Sequence, residues 1–296
     1  MSSVSKILAI LDLFQDGSIS IHHDDVTMLV KTSRPTAYRY LRELMDAGLI
    51  AQANSSNYVL GPRILELDRL LRMNDPLITA GRQVMEELSA QYGYNLVLCS
   101  YYRDRVMCAA IAWPETKAEA MYERGRPLSM FHGAMAKVIL ANLSPYQLRN
   151  MILKRGDEIK AAELGQNWNE FRDNMSQIRR EGCSVTFAEV MENTVGLGAP
   201  VFAANGKVLG SITFAIPDKN FRTLDEGTVR GIIIDAGRRI TELIAARHTG
   251  AGTLSNIGGA KKIAPKKIAA AATQESARPA KTVAASAKVA ARRRQS

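Results

Sequence analysis

Thr32-Ser33-Arg34-Pro35-Thr36-Ala37-Tyr38-Arg39-Tyr40-Leu41-Arg42-Glu43-Leu44-Met45-Asp46-Ala47-Gly48 is the stretch on which the fold turns. Ala37, Tyr40, Leu41 and Leu44 recur at helical spacing and form one apolar face. Ser33 is placed to cap the start. Pro35 is tolerated in a first turn, where its missing N–H costs nothing, and Gly48 supplies a left-handed end. The opposite face carries Arg34, Thr36, Tyr38, Arg39 and Arg42. Such a helix must bury its inner face against neighbours and leaves cations and hydroxyls pointing away from them.

The flanking sequence provides those neighbours. Upstream, Val4, Ile7, Leu8, Leu11 and Phe14 predict a first helix, capped by Ser3 or Ser5 and ended by Asp16 and Gly17. Ile19-Ser20-Ile21 leads into a second helix over residues 23–31, with Val26, Leu29 and Val30 inward. Downstream, residues 49–52 and 58–60 are short strands around the polar turn Ala53-Asn54-Ser55-Ser56-Asn57. Helix, turn, helix and hairpin make residues 1–62 a winged helix-turn-helix, whose last helix fits a DNA major groove. Arginine forks onto guanine O6 and N7 from there, so Arg34, Arg39 and Arg42 are the base-reading candidates. Ser33, Thr36 and Tyr38 can donate to phosphates, with Lys6 and Lys31 as further phosphate partners and Asn54 and Asn57 on the wing.

Gly61-Pro62 punctuates this domain, and Ile64, Leu65, Leu67, Leu70 and Leu71 predict a linker helix over residues 63–76. Residues 77–248 then mix helices and strands. Helices are expected near residues 77–92, 131–142, 144–154, 168–180 and 225–246. Strands are expected near residues 95–101, 105–112, 119–123, 183–188, 198–203 and 208–216. Arg103-Asp104 marks a tight turn, and Asn205-Gly206 a type I′ hairpin. Strands at both ends with helices between them indicate an α+β domain on an antiparallel sheet. Residues 249–296, rich in Lys, Ala and Arg, hold almost no large apolar groups and read as a disordered tail.

Charge has to be located before it is used. The chain carries a net +10, but residues 249–296 hold ten Lys or Arg and a single acid, Glu275. Residues 1–248 therefore hold 29 bases against 28 acids, and residues 1–75 hold eight against nine. DNA binding by the helix-turn-helix must come from placement of a few cations, while the tail offers screened attraction to phosphates. The same tail also permits a second reading, a histone-like protein binding DNA without sequence preference. Dispensable solubilisation is the plainest role for it.

Several classes are excluded or disfavoured. No apolar run approaches the roughly 20 residues of a membrane span. The opening residues read as the first helix rather than a signal peptide, which places the chain in the cytoplasm, at the nucleoid. Cys99, Cys108 and Cys183 match no zinc spacing and read as reduced, packed thiols. Among the histidines, His132 alone lies well inside residues 77–248, and no Gly-x-Ser-x-Gly, Walker loop or His-Glu-x-x-His occurs. Val195-Gly196-Leu197-Gly198 has no helix after it, so it is no dinucleotide fingerprint. Neither enzyme chemistry, a cofactor nor a metal is expected.

The motif at residues 32–41, with Ala47-Gly48-Leu49 and Tyr58-Val59-Leu60-Gly61, resembles the DNA-binding domain of IclR-family (isocitrate lyase regulator type) transcription factors. The likeness continues through Ser3-Val4-Ser5-Lys6-Ile7-Leu8, Arg124-Gly125-Arg126-Pro127, Phe131-His132-Gly133-Ala134, Lys137, Arg180-Glu181-Gly182 and Asn205-Gly206. It implies a GAF-like effector domain over residues 77–248 that binds a small metabolite and tunes operator affinity. By the same resemblance the effector positions are Thr186, Gly196, Thr213 and Ala215. Where the family often has an acid, a cysteine and serines, this chain has lost side-chain donors, which fits a larger or more apolar ligand: an organic acid or aromatic metabolite. Ser129, His132, Ser211 and Thr213 are the polar candidates, with Met130, Met135 and Phe214 as walls. Helix-turn-helix proteins usually bind paired half-sites, so a homodimer is expected, and the family implies a homotetramer as a dimer of dimers.

Overall fold

The computed structural model describes residues 2–15, 18–114 and 122–248. The tail at 249–296, Asp16, Gly17 and residues 119–121 of the expected third strand lie outside the described residues.

The first elements are α1 (Ser3–Ala9), a 3-10 turn (Ile10–Leu13), β1 (Ile21–His22), α2 (His23–Val30), α3 (Arg34–Asp46), β2 (Ile50–Gln52) and β3 (Asn57–Leu60). The strands pair antiparallel in the order β1-β3-β2. Ala37, Tyr40, Leu41 and Leu44 are all buried, joined by Ile10, Ile21, Val26, Val30, Ile50 and Tyr58. Full burial of a leucine such as Leu41 stabilises by about 1.5–3 kcal/mol. The end of α3 is a Schellman motif: Gly48 N–H donates to Met45 O (2.8 Å) and Leu49 N–H to Leu44 O (2.9 Å), with Gly48 left-handed at φ +69°.

Local details depart from the helical reading. Ser2, not Ser3 or Ser5, caps α1 by accepting from Ser5 N–H. The chain tightens into a 3-10 turn after Ala9, which rotates the inward face. Ile10 becomes the buried residue, and Val4 and Leu8 stay exposed. Leu29 is also exposed, because α2 packs through Val26 and Val30 alone. His22 caps α2 in a capping box with Asp25, whose carboxylate accepts from His22 N–H at 3.0 Å. Ser33 stands at the N-cap of α3 without a cap bond, its hydroxyl paired instead with Thr36 Oγ1 at 3.1 Å.

The helix α4 (Pro62–Asn74) follows and buries none of its residues; Leu65, Leu67, Leu70, Leu71 and Met73 are exposed. Asp75 then caps α5 (Pro76–Tyr92) through Ile78 N–H. Beyond it come β4 (Asn95–Tyr102), β5 (Arg105–Ala112), β6 (Pro127–Leu128), α6 (Ala134–Ala141), α7 (Pro145–Ala161) and α8 (Trp168–Glu181). The chain closes with β7 (Ser184–Phe187), β8 (Thr194–Phe202), β9 (Val208–Pro217), the short α9 (Asp218–Phe221) and α10 (Glu226–His248). Tyr122 sits in a helical turn rather than the strand expected there, and the edge strand is Pro127–Leu128.

Strand order is β6-β5-β4-β9-β8-β7, antiparallel throughout. Alternation along the strands sends residues to two cores. Leu96, Leu98, Leu197, Ile212 and Phe214 join Val84, Ile233 and Ile240 of α5 and α10. Val97, Cys99 and Cys108 join Met135, Ile139, Met151 and Phe171 of α6, α7 and α8.

The turn at Arg103-Asp104 is tight, as expected, whereas the one at Asn205-Gly206 departs from the expected type I′ geometry. Arg103 (φ 45°) and Asp104 (φ 61°) are both left-handed and link the facing pair Tyr102 and Arg105, as a type I′ turn requires. At the other hairpin Gly206 has positive φ but Asn205 does not. Ala203 N–H donates to Lys207 O and Gly206 N–H to Ala203 O, so the loop has three residues with the glycine in the bulge position.

All three thiols are buried, and burial pushes each one up in pKa, Cys108 to about 11. Thiols so protonated are poor nucleophiles. A charged alkylating reagent at about pH 8 is expected to leave the folded chain unmodified and to label all three cysteines in denaturant. Rapid labelling of the folded chain would contradict this packing.

Candidate DNA-reading helix and candidate effector pocket

The outer face of α3 is polar because its inner face is fully committed to the core. Arg34, Tyr38, Arg39 and Arg42 are exposed there, with Ser33 at the cap. Their freedom differs. Arg34 Nη2 donates to Asp24 Oδ1 of α2 at 3.2 Å. Tyr38 stacks on His23 with centroids 5.5 Å apart, while Arg39 lies 5.7 Å over the Tyr40 ring. Among the described residues Arg39 and Arg42 have no carboxylate partner, which leaves their guanidinium donors available. Lys31, left-handed at φ 45°, closes α2 just before α3. Lys6 is half-buried on α1. On the wing, Asn54 Oδ1 accepts from Ser56 N–H (3.1 Å) and Asn57 N–H (3.0 Å), so its side chain shapes the turn, and Asn57 opens β3 opposite His22.

The candidate pocket arises where α6 approaches the sheet. Gly196 and Gly198 of β8 leave room for it. A Cβ on Gly198 would lie 2.8 Å from Thr213 Oγ1 and 3.0 Å from the Ala134 carbonyl. The close approach aims the first turn of α6 at a recess of about 260 Å3, its open mouth included, lined by Met135, Thr186, Val190, Met191, Thr213 and Phe214 among others. The side chains close in until about one water molecule fits. The polar groups converge there. Ala134 N–H donates to Thr186 Oγ1 at 3.1 Å, and Gly133 N–H donates to Glu189 Oε2 at 2.9 Å. Lys137 Nζ holds the other oxygen of Glu189 at 2.5 Å. A carboxylate on a helix N-terminus is favoured by both the free N–H groups and the dipole. Thr213 Oγ1 is buried, lines the recess and has no hydrogen-bond partner among the described residues.

Of the residues expected from sequence, Thr186, Gly196 and Thr213 meet in this recess, with the expected walls Met135 and Phe214 and the family position Ala215. The others lie elsewhere. Ser211 is fully buried and donates to Met135 O at 3.0 Å. Ser129 and His132 are exposed and satisfy each other at 3.0 Å, Ser129 also accepting from His132 N–H. Met130 packs in the core beneath α6 and α7. Sequence reasoning missed Glu189, Lys137 and the backbone of Gly133 and Ala134. Lys137 and Gly133-Ala134 fall in stretches that carry the resemblance, but nothing in the sequence singles out Glu189.

A line of contacts runs to α4 from the recess. Tyr122 lines it, and Arg124, two residues on, donates to Asp68 of α4 through Nε (3.1 Å) and Nη2 (2.9 Å) and to the Ala109 carbonyl. Asp68 also pairs with Arg72 at 2.9 Å.

A helix-turn-helix with a wing, followed by a helix and an α+β sheet with a walled recess, is the architecture of a transcriptional regulator. The family model described as bacterial transcriptional regulator IclR, C-terminal, matches residues 72–242, and the chain belongs to the IclR family. The HTH-type transcriptional regulator KdgR of Escherichia coli is 24% identical over 265 residues, covering 86% of this chain and 92% of that protein. The structure of an IclR transcriptional regulator from Silicibacter sp. is 26% identical, covers 82% of this chain and 96% of its own, and superposes with a TM-score of 0.67. An IclR homologue from Microbacterium hydrocarbonoxydans, solved in complex with 4-hydroxybenzoate, shares the fold at 16% identity, covering 83% of this chain and all (100%) of its own, with a TM-score of 0.63.

Proposed function

We propose that the chain is a sequence-specific DNA-binding regulator whose operator affinity is tuned by a small organic acid or aromatic metabolite held between α6 and the sheet. One observation carries the reading: the buried hydroxyl of Thr213 has no partner and faces the same recess as the N–H groups that open α6. A ligand carboxylate supplies the acceptor that Thr213 lacks and takes the Gly133 and Ala134 donors from Glu189 and Thr186. Met135, Val190, Met191 and Phe214 offer apolar walls for a flat body behind that carboxylate. The 4-hydroxybenzoate complex of the Microbacterium relative supports an aromatic acid. Opening the recess moves Tyr122, and Arg124 passes that movement to Asp68 on α4, the helix that carries the DNA-binding half.

DNA contact falls to Arg39, Arg42 and Tyr38 on α3, with Arg34, Thr36, Ser33 and Lys31 at its start, Lys6 on α1, and Asn54 and Asn57 ordering the wing. The exposed apolar residues Val4 and Leu8 of α1 and Leu65, Leu67, Leu70 and Leu71 of α4 fit a homodimer, paired again into a tetramer. A regulator of this kind works in the cytoplasm at the nucleoid. The basic tail then adds sequence-independent affinity.

A thermal-shift screen of aromatic and aliphatic carboxylates tests the sensor. A true effector at a hundred times its Kd stabilises by about 2.7 kcal/mol, a rise of about 5–10 °C. A panel in which no compound raises the melting temperature contradicts the sensor role.

A further inference from the structure

His22, His23 and Asp24 bring one ligand atom each to within 4.8 Å of one another, all partly exposed, at the entry to α2. His23 Nε2 lies 3.2 Å from Asp24 Oδ1, and His22 Nδ1 lies 3.5 Å from Asp24 Oδ2. Ligands at about 2.0–2.2 Å around a tetrahedral zinc stand about 3.4 Å apart, so His23 and Asp24 already have that spacing, while His22, whose Nδ1 faces the other carboxylate oxygen and accepts from Asp24 N–H at 3.3 Å, must turn to present a nitrogen. Two imidazoles and a carboxylate suit zinc, nickel or copper far better than magnesium or calcium. Partial exposure leaves further coordination positions for water and a way in. Consecutive ligands match no spacing rule, which is why the sequence gives no sign of a metal here.

The cluster is wired to α3. Asp24 Oδ1, the oxygen facing His23, also accepts from Arg34 Nη2 at 3.2 Å. The His23 ring stacks on Tyr38, tilted by 20°. A cation coordinated by Asp24 competes directly with the guanidinium for the same oxygen.

We propose that His22, His23 and Asp24 form a site for a divalent transition-metal ion of the zinc class, and that its occupation detaches Arg34 from Asp24 at the first turn of the DNA-facing helix. Metal binding stands by itself; the value of a freed Arg34 rests on the DNA-reading role of α3. The metal thereby becomes a second input to the DNA-binding half, independent of the recess in the other domain.

Zinc chloride titrated calorimetrically into the tag-free full-length protein tests it without DNA. One zinc per chain is expected, bound at least about tenfold more weakly by Asp24→Asn and by His23→Gln. Melting curves establish that both variants fold; Asp24→Asn leaves the His22–Asp25 capping box in place. Arg34→Ala removes the competitor and is expected to tighten zinc binding. No saturable zinc binding, or unchanged affinity in both folded variants, overturns the site. Zinc affinity unchanged or weakened by Arg34→Ala overturns the release of Arg34 while leaving the proposed role of α3 in DNA binding intact.

Discussion

Alanine in place of Arg39 is expected to cost about 1–3 kcal/mol of operator affinity, roughly 5- to 150-fold, with a much smaller loss on random duplex. The argument starts from the local charge balance. Residues 1–75 carry no net excess of cations, so no diffuse field holds this domain on DNA. Affinity must come from a few donors, and α3 differs along its length in which donors are available. Arg34 is shared with Asp24, whereas Arg39 and Arg42 have no carboxylate among the described residues to leave before they meet a base. Arg39 also stands on a helix fixed by Leu41 and Leu44 and by its Schellman end, so its Cα is placed with little residual freedom. Binding titrations on an operator fragment and on scrambled DNA separate the possibilities. Equal losses on both make Arg39 a phosphate contact that positions the helix without reading sequence.

Valine in place of Thr213 is expected to stabilise the ligand-free protein while weakening its response to effector. The two side chains have nearly the same shape, and the threonine hydroxyl is fully buried with no partner. A buried unpaired polar group costs about 1–3 kcal/mol, so removing this one is expected to raise the melting temperature by a few degrees, at about 2–4 °C per kcal/mol. The same hydroxyl is the proposed acceptor's partner in the recess, and its loss is expected to weaken effector binding about tenfold. A lowered melting temperature in the Thr213→Val protein contradicts the assignment, because it means the hydroxyl was already satisfied.

The two halves of the chain were legible to different degrees. Ala37, Tyr40, Leu41 and Leu44 announce α3 because a helix packed on one side writes its burial into a 3.6-residue period. Ile10 escaped because the 3-10 turn after Ala9 changes that period within four residues. The sheet alternation identified β4, β5 and β9, but β8 began at Thr194, four residues before its expected start, since Gly196 interrupts the apolar pattern where α6 comes close. The hairpin at Asn205-Gly206 took a three-residue loop, and a type I′ turn formed instead at Arg103-Asp104, where the sequence signals only a tight turn. In the recess, residues on strands could be placed from the resemblance, as Thr186, Gly196 and Thr213 were. Glu189 and the amides of Gly133 and Ala134 could not. Their meeting depends on how near α6 comes to the sheet, and no local pattern encodes that distance.

The most direct test of the account measures operator affinity with and without an effector found by thermal shift, in the wild-type chain and in Thr213→Val. With effector at a few times its wild-type Kd, a change of at least about fivefold in the wild type, corresponding to about 1 kcal/mol of coupling, and a clearly smaller one in Thr213→Val is the predicted result. A ligand that stabilises the protein yet leaves operator affinity unchanged, or one that acts equally on the Thr213→Val chain, would contradict it.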